Sequence, residues 1–71
     1  MPKPVLMRII ITVLLAQGFV LVSQKGSHAK FRKGKLTVIV PKHGKEVPYG
    51  TFTSILRQSF LREEDFRMTK R

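Results

Sequence analysis

The sequence predicts a small α+β fold, in which one helix, three antiparallel strands and a second helix follow one another along the chain. Apolar residues recur at helical spacing near both ends of the chain, whereas apolar and polar residues alternate through its middle. The alternating segments are separated by short glycine-containing links, which are typical of antiparallel neighbours. With 71 residues, the chain is expected to form one domain.

The first predicted helix covers residues 4 to 17. Pro4 suits the entry to a helix, and Gly18 suits its end. The helix is apolar nearly all round and rich in β-branched residues, so a partner is expected to cover its outer side. Its core-facing residues follow helical spacing: Val5, Leu6, Ile9, Ile10, Val13 and Leu14.

The same N-terminal stretch allows a second interpretation, as a secretory signal. Lys3 and Arg8 precede the apolar run, and Ala16-Gln17-Gly18 resembles a small-residue cleavage site. The uninterrupted run from Ile9 to Ala16 is much shorter than the about 20 residues that span a bilayer, so no membrane segment is expected. Cleavage would also strip a hydrophobic face from the strands that follow.

Three strands are predicted, at residues 19–24, 28–32 and 35–40. In the second and third strands, alternation directs these side chains to the core: Ala29, Phe31, Leu36, Val38 and Val40. The outer face then has a basic middle row with apolar neighbours: His28, Lys30, Arg32, Val20, Val22 and Ile39. Such apolar neighbours suggest an interface for another chain.

The C-terminal third is predicted to be a loop, a helix and a short helical turn. Pro41 ends the third strand, and residues 42–50 form the loop. Thr51 is the expected N-cap of the second helix, which buries its apolar side: Phe52, Ile55, Leu56 and Ser59. Residues 61–68 form the helical turn, in which Glu63 and Arg67 are spaced as an i,i+4 pair. The order of elements places both helices on one sheet face, as in the double-stranded-RNA-binding fold.

The net charge of the chain indicates which classes of partner it is expected to bind. Fourteen Lys and Arg residues against four Asp and Glu give a formal net charge of +10. This excess favours a polyanion: nucleic acid, an anionic membrane surface or an acidic protein. The chain has no cysteine, so it forms neither disulfides nor thiolate metal sites, which is compatible with the cytoplasm. With so few acids, a carboxylate metal cage is not expected, and no cofactor is predicted.

His28 is the candidate catalytic residue, because strand alternation places this ionisable imidazole beside Lys30 and Arg32. RNA carries its own nucleophile, the 2′-hydroxyl, so scission needs a base, an acid and cations. Lys25, Lys30 and Arg32 are the candidate phosphate-binding residues, and Ser27 is a candidate to orient His28 or donate to phosphate. In the alternative interpretation His28 caps a turn and the cations form a solvated strand edge.

His43 is a secondary candidate, because its position in the loop gives no argument that it lies near His28. Two isolated histidines do not make a zinc site. Arg57 and Gln58 lie on the polar side of the second helix. Two interpretations are equally open: these side chains contact RNA or a protein partner, or they form an ordinary solvated surface.

Three segments resemble one family of small bacterial proteins. They are Gly18-Phe19 with Gln24 to His28, Val38 to Pro41 with His43 and Lys45-Glu46, and Gly50-Thr51 with Ser54 to Gln58. In this order and spacing, over residues 18 to 58, they resemble the HicA toxins of bacterial toxin and antitoxin pairs. The resemblance implies a single toxin domain over residues 1–71, an mRNA-cleaving activity, His28 as the catalytic histidine, and a HicB antitoxin that covers the active site.

Two positions depart from the family pattern. Phe60 stands where the family usually ends its second helix with glycine, so a left-handed stop is expected to be missing. Arg62 stands where a serine usually caps the last short helix, which is then expected to start uncapped.

Three functions remain for comparison. The leading hypothesis is a metal-independent endoribonuclease toxin in the cytoplasm. The second is a noncatalytic RNA-binding module of the same fold, which would bind RNA in a salt-dependent way without forming product. The third is a secreted cationic peptide released after Gly18.

Overall fold

The computed structural model describes residues 3–42 and 44–67 and confirms the predicted α+β fold. A three-stranded antiparallel sheet has the order β2-β3-β4, consistent with the α-β-β-β-α arrangement of double-stranded-RNA-binding domains. The elements in chain order are β1 (Val5–Leu6), α1 (Met7–Ala16), β2 (Val20–Lys25), β3 (His28–Lys33), β4 (Leu36–Pro41), β5 (Glu46–Val47), α2 (Tyr49–Ser59) and α3 (Glu63–Arg67).

The core lies between the sheet and the helices. In β3 and β4 the predicted alternation is confirmed: Ala29, Phe31, Val38 and Val40 are at most 2% exposed. The helices supply most of the other buried side chains, with α2 packed against β4 and α1 against α3, and Phe19 and Val47 add two more from outside the helices. The buried helical side chains include Met7, Ile10, Val13, Leu14, Phe52, Ile55 and Phe66. Two aromatic rings meet edge to face in this core, since the centroids of Phe52 and Phe66 are 5.1 Å apart.

The first helix begins three residues later than predicted. Val5–Leu6 forms β1 and pairs antiparallel with β5, so the segment predicted as a loop over residues 42–50 contains a strand. The ladder leads directly into α1, because the Met7 N–H donates to the Lys45 carbonyl at 2.8 Å. The expectation that Pro4 opens the helix is therefore wrong. A strand of two residues is too short to show an alternating pattern in the sequence, so β1 is recognised only by its pairing with β5.

Strand β2 contains a β-bulge that the predicted alternation lacks. Its register against β3 shifts between Leu21 and Ser23, which leaves Val22 as the extra residue. Val20, Leu21 and Val22 are 56%, 50% and 46% exposed, so β2 does not alternate between a buried and an open face. After the bulge, regular pairing between β2 and β3 resumes with Ser23 opposite Lys30.

Helix α2 starts and ends differently from the sequence prediction. It begins at Tyr49 after Pro48, so Thr51 lies inside its first turn and is not the N-cap. At its other end Phe60 itself adopts the left-handed conformation, with φ of 62°, and its N–H donates to the Leu56 carbonyl at 2.9 Å. The expected loss of the left-handed stop is therefore wrong. The phenylalanine makes the stop at a conformational cost that glycine avoids.

The last short helix is capped despite Arg62. The Asp65 carboxylate accepts the Arg62 backbone N–H at 2.8 Å, and the Asp65 N–H donates to the Arg62 carbonyl at 3.0 Å. The expectation of an uncapped start is therefore wrong, because a later side chain satisfies the backbone donor. The predicted i,i+4 pair is confirmed, since Nη2 of Arg67 lies 3.8 Å from Oε2 of Glu63. Met68, at the end of the predicted turn, lies outside the described residues.

The apolar N-terminal segment belongs to the core. Within residues 3–42 and 44–67, no helix is both long and apolar enough to cross a membrane. Cleavage after Gly18, as the secretory interpretation requires, would remove four buried side chains: Met7, Ile10, Val13 and Leu14. That loss would open the helical layer beneath the sheet.

Candidate functional site

A tight hairpin places His28 at the start of the central strand. Lys25 and His28 pair directly, so only Gly26 and Ser27 connect β2 to β3. Gly26 has a φ of 57°, which suits the first central position of a type II′ hairpin turn. The Ser27 carbonyl accepts the Lys42 N–H, which ties this turn to the end of β4. His28 thus lies where the hairpin and the end of β4 meet.

The outer sheet face consists of three cross-strand rows. Residues that pair directly across strands share a face, so the register determines which side chains are neighbours. From β2 through β3 to β4, the rows are Lys25, His28 and Pro41; Ser23, Lys30 and Ile39; and Val20, Arg32 and Thr37. The bulge in β2 is the reason that Lys25 and Ser23 belong to this face, because an unbroken alternation from Val20 would have directed both to the other side.

The first two rows surround a shallow depression of about 170 Å³. Three of the predicted site residues line it, namely Lys25, His28 and Lys30, and each has an exposed side chain. The remaining lining residues are Ser23, Ala29 and Ile39. The sequence prediction missed Ser23, because only the bulge brings it beside Lys30.

The other predicted site residues lie around this depression and do not line it. Arg32 is exposed on the same face one row away, opposite Val20 and Thr37. Ser27 is half-buried in the turn. His43 lies outside the described residues.

The depression has a strongly positive environment. The described residues that line it include two lysines and no carboxylate. Among the described residues the ion pairs, Arg62 with Glu64 and Arg67 with Glu63, all involve residues of α3. Lys33, by contrast, has a packing role, since its Nζ lies 5.9 Å from the centroid of the Phe19 ring. The arrangement can bind a phosphate group and place an imidazole beside it.

No group of three or more His, Cys, Asp or Glu side chains that would suit a metal ion occurs in the described part of the chain. The pKa of Tyr49 is raised, but this residue lies away from the depression, in α2. Its hydroxyl donates to the Glu63 carboxylate at 3.1 Å, and this hydrogen bond, with the charge of Glu63, raises the pKa of Tyr49.

A second depression, of about 210 Å³, lies on α2 and is lined by Ser54, Arg57 and Gln58. The Gln58 Oε1 accepts the backbone N–H of Ile39 at 3.0 Å. Ile39 also lines the depression at His28, so this hydrogen bond links a residue of one depression to a residue of the other. The sequence pattern placed Arg57 and Gln58 on a polar helix face but did not indicate this connection.

The chain was compared with known proteins. The family model described as the HicA toxin of bacterial toxin–antitoxin matches residues 7–61 of the 71-residue chain, from the start of α1 to just beyond α2. No curated protein matches.

Proposed function

The chain belongs to the HicA toxin family, and from this membership we propose that it is a metal-independent endoribonuclease that cleaves mRNA and so arrests translation and growth. The toxins of this family are members of toxin–antitoxin pairs and generally cleave mRNA. We propose that the toxin domain spans residues 1–71. The observation that carries the catalytic assignment is the position of exposed His28 between Lys25 and Lys30 in one depression.

The proposed reaction uses the nucleophile within RNA. The ribose 2′-oxygen attacks the adjacent phosphorus, the bond from phosphorus to the 5′-oxygen breaks, and a 2′,3′-cyclic phosphate results. His28 either removes the 2′-hydroxyl proton as general base, with water protonating the departing 5′-oxygen, or protonates that oxygen as general acid, with water accepting the 2′-hydroxyl proton. Lys25 and Lys30 stabilise the charge that develops on the phosphate oxygens.

Arg32 and Ser27 have supporting parts in this proposal. Arg32, one row along the same face, binds a neighbouring phosphate and can do so through two parallel N–H donors. Ser27 lies in the turn that precedes His28 and helps to orient that histidine. We expect the reaction to need no cofactor, because the described residues that line the depression offer ammonium groups, one imidazole and one hydroxyl, which are poor ligands for a catalytic Mg²⁺ ion.

The proposed protein partner is a HicB-type antitoxin that covers the outer sheet face in the cytoplasm. Lys30 and Arg32 supply positive charge, while the half-exposed Val20 and Val22 supply apolar surface. An inhibitor that presents acidic and apolar groups would complement both features. Co-purification of the native partner should be lost in Lys30→Glu/Arg32→Glu, and unchanged association would argue against this face.

The test of catalysis is the cleavage of labelled RNA by the purified protein in the presence of a chelator. His28→Ala should abolish product, a loss of at least about a hundredfold, while RNA affinity and the melting temperature change little. Gln24→Ala is the matched control, because Gln24 is an exposed neighbour on the opposite face of β2, where it pairs with Ala29. Full cleavage by His28→Ala, in chelator, would refute the assignment of His28.

A noncatalytic RNA-binding module is the second candidate. One observation favours it: among the described residues that line the depression, His28 is the single imidazole, and none of them carries a carboxylate. This function predicts salt-dependent binding of RNA without product at any protein concentration. The same cleavage assay therefore separates the two functions.

A further inference from the structure

We propose that the depression formed by Ser54, Arg57 and Gln58 on α2 is a second phosphate subsite, which binds the RNA backbone next to the phosphate held at His28. This inference rests on the proposed function for the identity of its ligand. It adds a binding site on a helix to the site on the sheet.

The three residues occupy one face of α2, since they are spaced at i, i+3 and i+4. They line a depression of about 210 Å³, in which Arg57 and Gln58 are exposed and Ser54 is half-buried. No carboxylate of the described residues lies within ion-pair distance of Arg57. Its guanidinium is therefore available to an external anion.

The hydrogen bond at Gln58 determines what this side chain can offer to a ligand. Its Oε1 accepts the Ile39 N–H at 3.0 Å, which satisfies a backbone donor at the outer edge of β4. An amide whose oxygen is held in this way retains two N–H donors on its nitrogen. Together with the Arg57 guanidinium and the Ser54 hydroxyl, the site therefore offers hydrogen-bond donors, as phosphate oxygens require.

Continuity with the sheet site favours RNA over an isolated anion or an acidic protein. Ile39 lines the depression at His28, pairs with Lys30, and donates its backbone N–H to Gln58. A single strand of RNA that passes over Ile39 would place successive phosphates in the two depressions. The enzyme would then recognise more of its substrate than the two nucleotides that flank the cleaved bond.

The test uses binding in a His28→Ala background, so that RNA is not cut during the measurement. Fluorescence anisotropy with a labelled single-stranded RNA oligonucleotide should show about tenfold weaker binding when Arg57→Ala is added. The slope of log affinity against log salt should become shallower by about 0.7, the value for one lost phosphate contact on single strands. Binding of a labelled dinucleotide should not change, because it does not extend into the second depression.

Arg8→Ala is the matched control, because it removes the same charge from an exposed position on α1. It should leave both the affinity and the salt slope close to those of the parent. Equal effects of Arg57→Ala and Arg8→Ala on oligonucleotide binding would overturn the subsite, even if Arg57→Ala weakened the binding of an antitoxin. Thermal melting of each variant identifies any loss caused by unfolding, and Arg57→Lys, which keeps the charge, should recover part of the affinity.

The outcomes also separate this inference from the proposed function. If the wild-type protein binds RNA without cutting it and Arg57→Ala still lowers affinity and salt slope, the subsite stands and the nuclease proposal fails. If the wild type cuts RNA and Arg57→Ala behaves as Arg8→Ala does, the nuclease proposal stands and the subsite fails.

Discussion

The two faces of strand β3 differ completely in environment although their residues alternate within one short segment. Ala29 and Phe31 on the inner face are 1% and 2% exposed, whereas His28, Lys30 and Arg32 on the outer face are exposed. The inner face contributes to stability through burial of apolar surface. The outer face contributes little burial and holds the candidate site. Adjacent positions in this strand should therefore affect stability and activity independently.

The largest expected effect is on the inner face. Phe31→Ala should lower the free energy of unfolding by about 3 to 5 kcal/mol, because it leaves a cavity beside Val38. That loss is comparable with the whole stability of a chain this short, so the variant should be largely unfolded. Urea denaturation followed by circular dichroism measures the change, and Phe31→Leu should retain a folded state. A stability change below about 1 kcal/mol for Phe31→Ala would show that this face does not hold the fold together.

The next effect is on the outer face and concerns activity. If the nuclease proposal is correct, Lys30→Ala should lower kcat/KM for RNA cleavage by about tenfold to a hundredfold, because one charged contact to phosphate is lost. Its unfolding free energy should stay within about 0.5 kcal/mol of the wild type. Lys35→Ala, which removes an equal charge from the exposed turn between β3 and β4, is the control and should retain nearly full activity. Equal losses in the two variants would mean that total charge, and not the outer face, determines the rate.

A third effect is a gain in stability that leaves the outer face untouched. Phe60 is 80% exposed and has a left-handed backbone, so its side chain contributes little burial and its conformation is costly. Phe60→Gly should raise the free energy of unfolding by about 1 kcal/mol without a change in RNA cleavage. Phe60→Ala keeps the Cβ atom and should not give this gain. If alanine and glycine stabilise equally, relief of the backbone conformation is not the cause.

The smallest effect concerns pH and the contact between α2 and α3. The hydrogen bond to Glu63 raises the pKa of Tyr49 above its ordinary value of 10.0. A pKa that is higher in the folded state contributes stability that is fully present below pH 10.0 and is lost as the pH rises through the folded value. The stability difference between the wild type and Tyr49→Phe should therefore stay constant at neutral pH and change only above pH 10.0. Denaturation curves at several pH values test this, and a difference that already changes between pH 6 and 8 would contradict it.

The sequence predicted the sheet because local alternation and tertiary structure agree there. In β3 and β4 every second side chain is apolar, and two-residue links at Gly26 and Gly34 leave one simple pairing. The position of His28 on an exposed central strand follows from the same pattern. These features could be predicted because each depends on residues close together in the chain.

Two of the features that the sequence did not predict depend on distant parts of the chain. The β1–β5 ladder joins segments about 40 residues apart, and each of its strands is too short to show a pattern. The contact of Gln58 with Ile39 is likewise non-local, so the second depression could not be inferred from the helix pattern alone. Two other features are local but unusual: Phe60 adopts a left-handed conformation that glycine normally supplies, and Asp65, three residues after Arg62, accepts the Arg62 N–H.

The extra residue in β2 has a consequence for how the protein behaves in a crowded cell. β2 forms one edge of the sheet and has three consecutive half-exposed apolar residues. An exposed apolar border of this kind can pair with a strand of another molecule. The bulge at Val22 interrupts the regular spacing of free backbone groups along that border. Removing Val22 would straighten the border and encourage self-association, whereas Lys25 would still pair with His28, because Ser23 would then follow Leu21 in regular alternation. One residue thus interrupts the edge along which copies of the protein would otherwise pair.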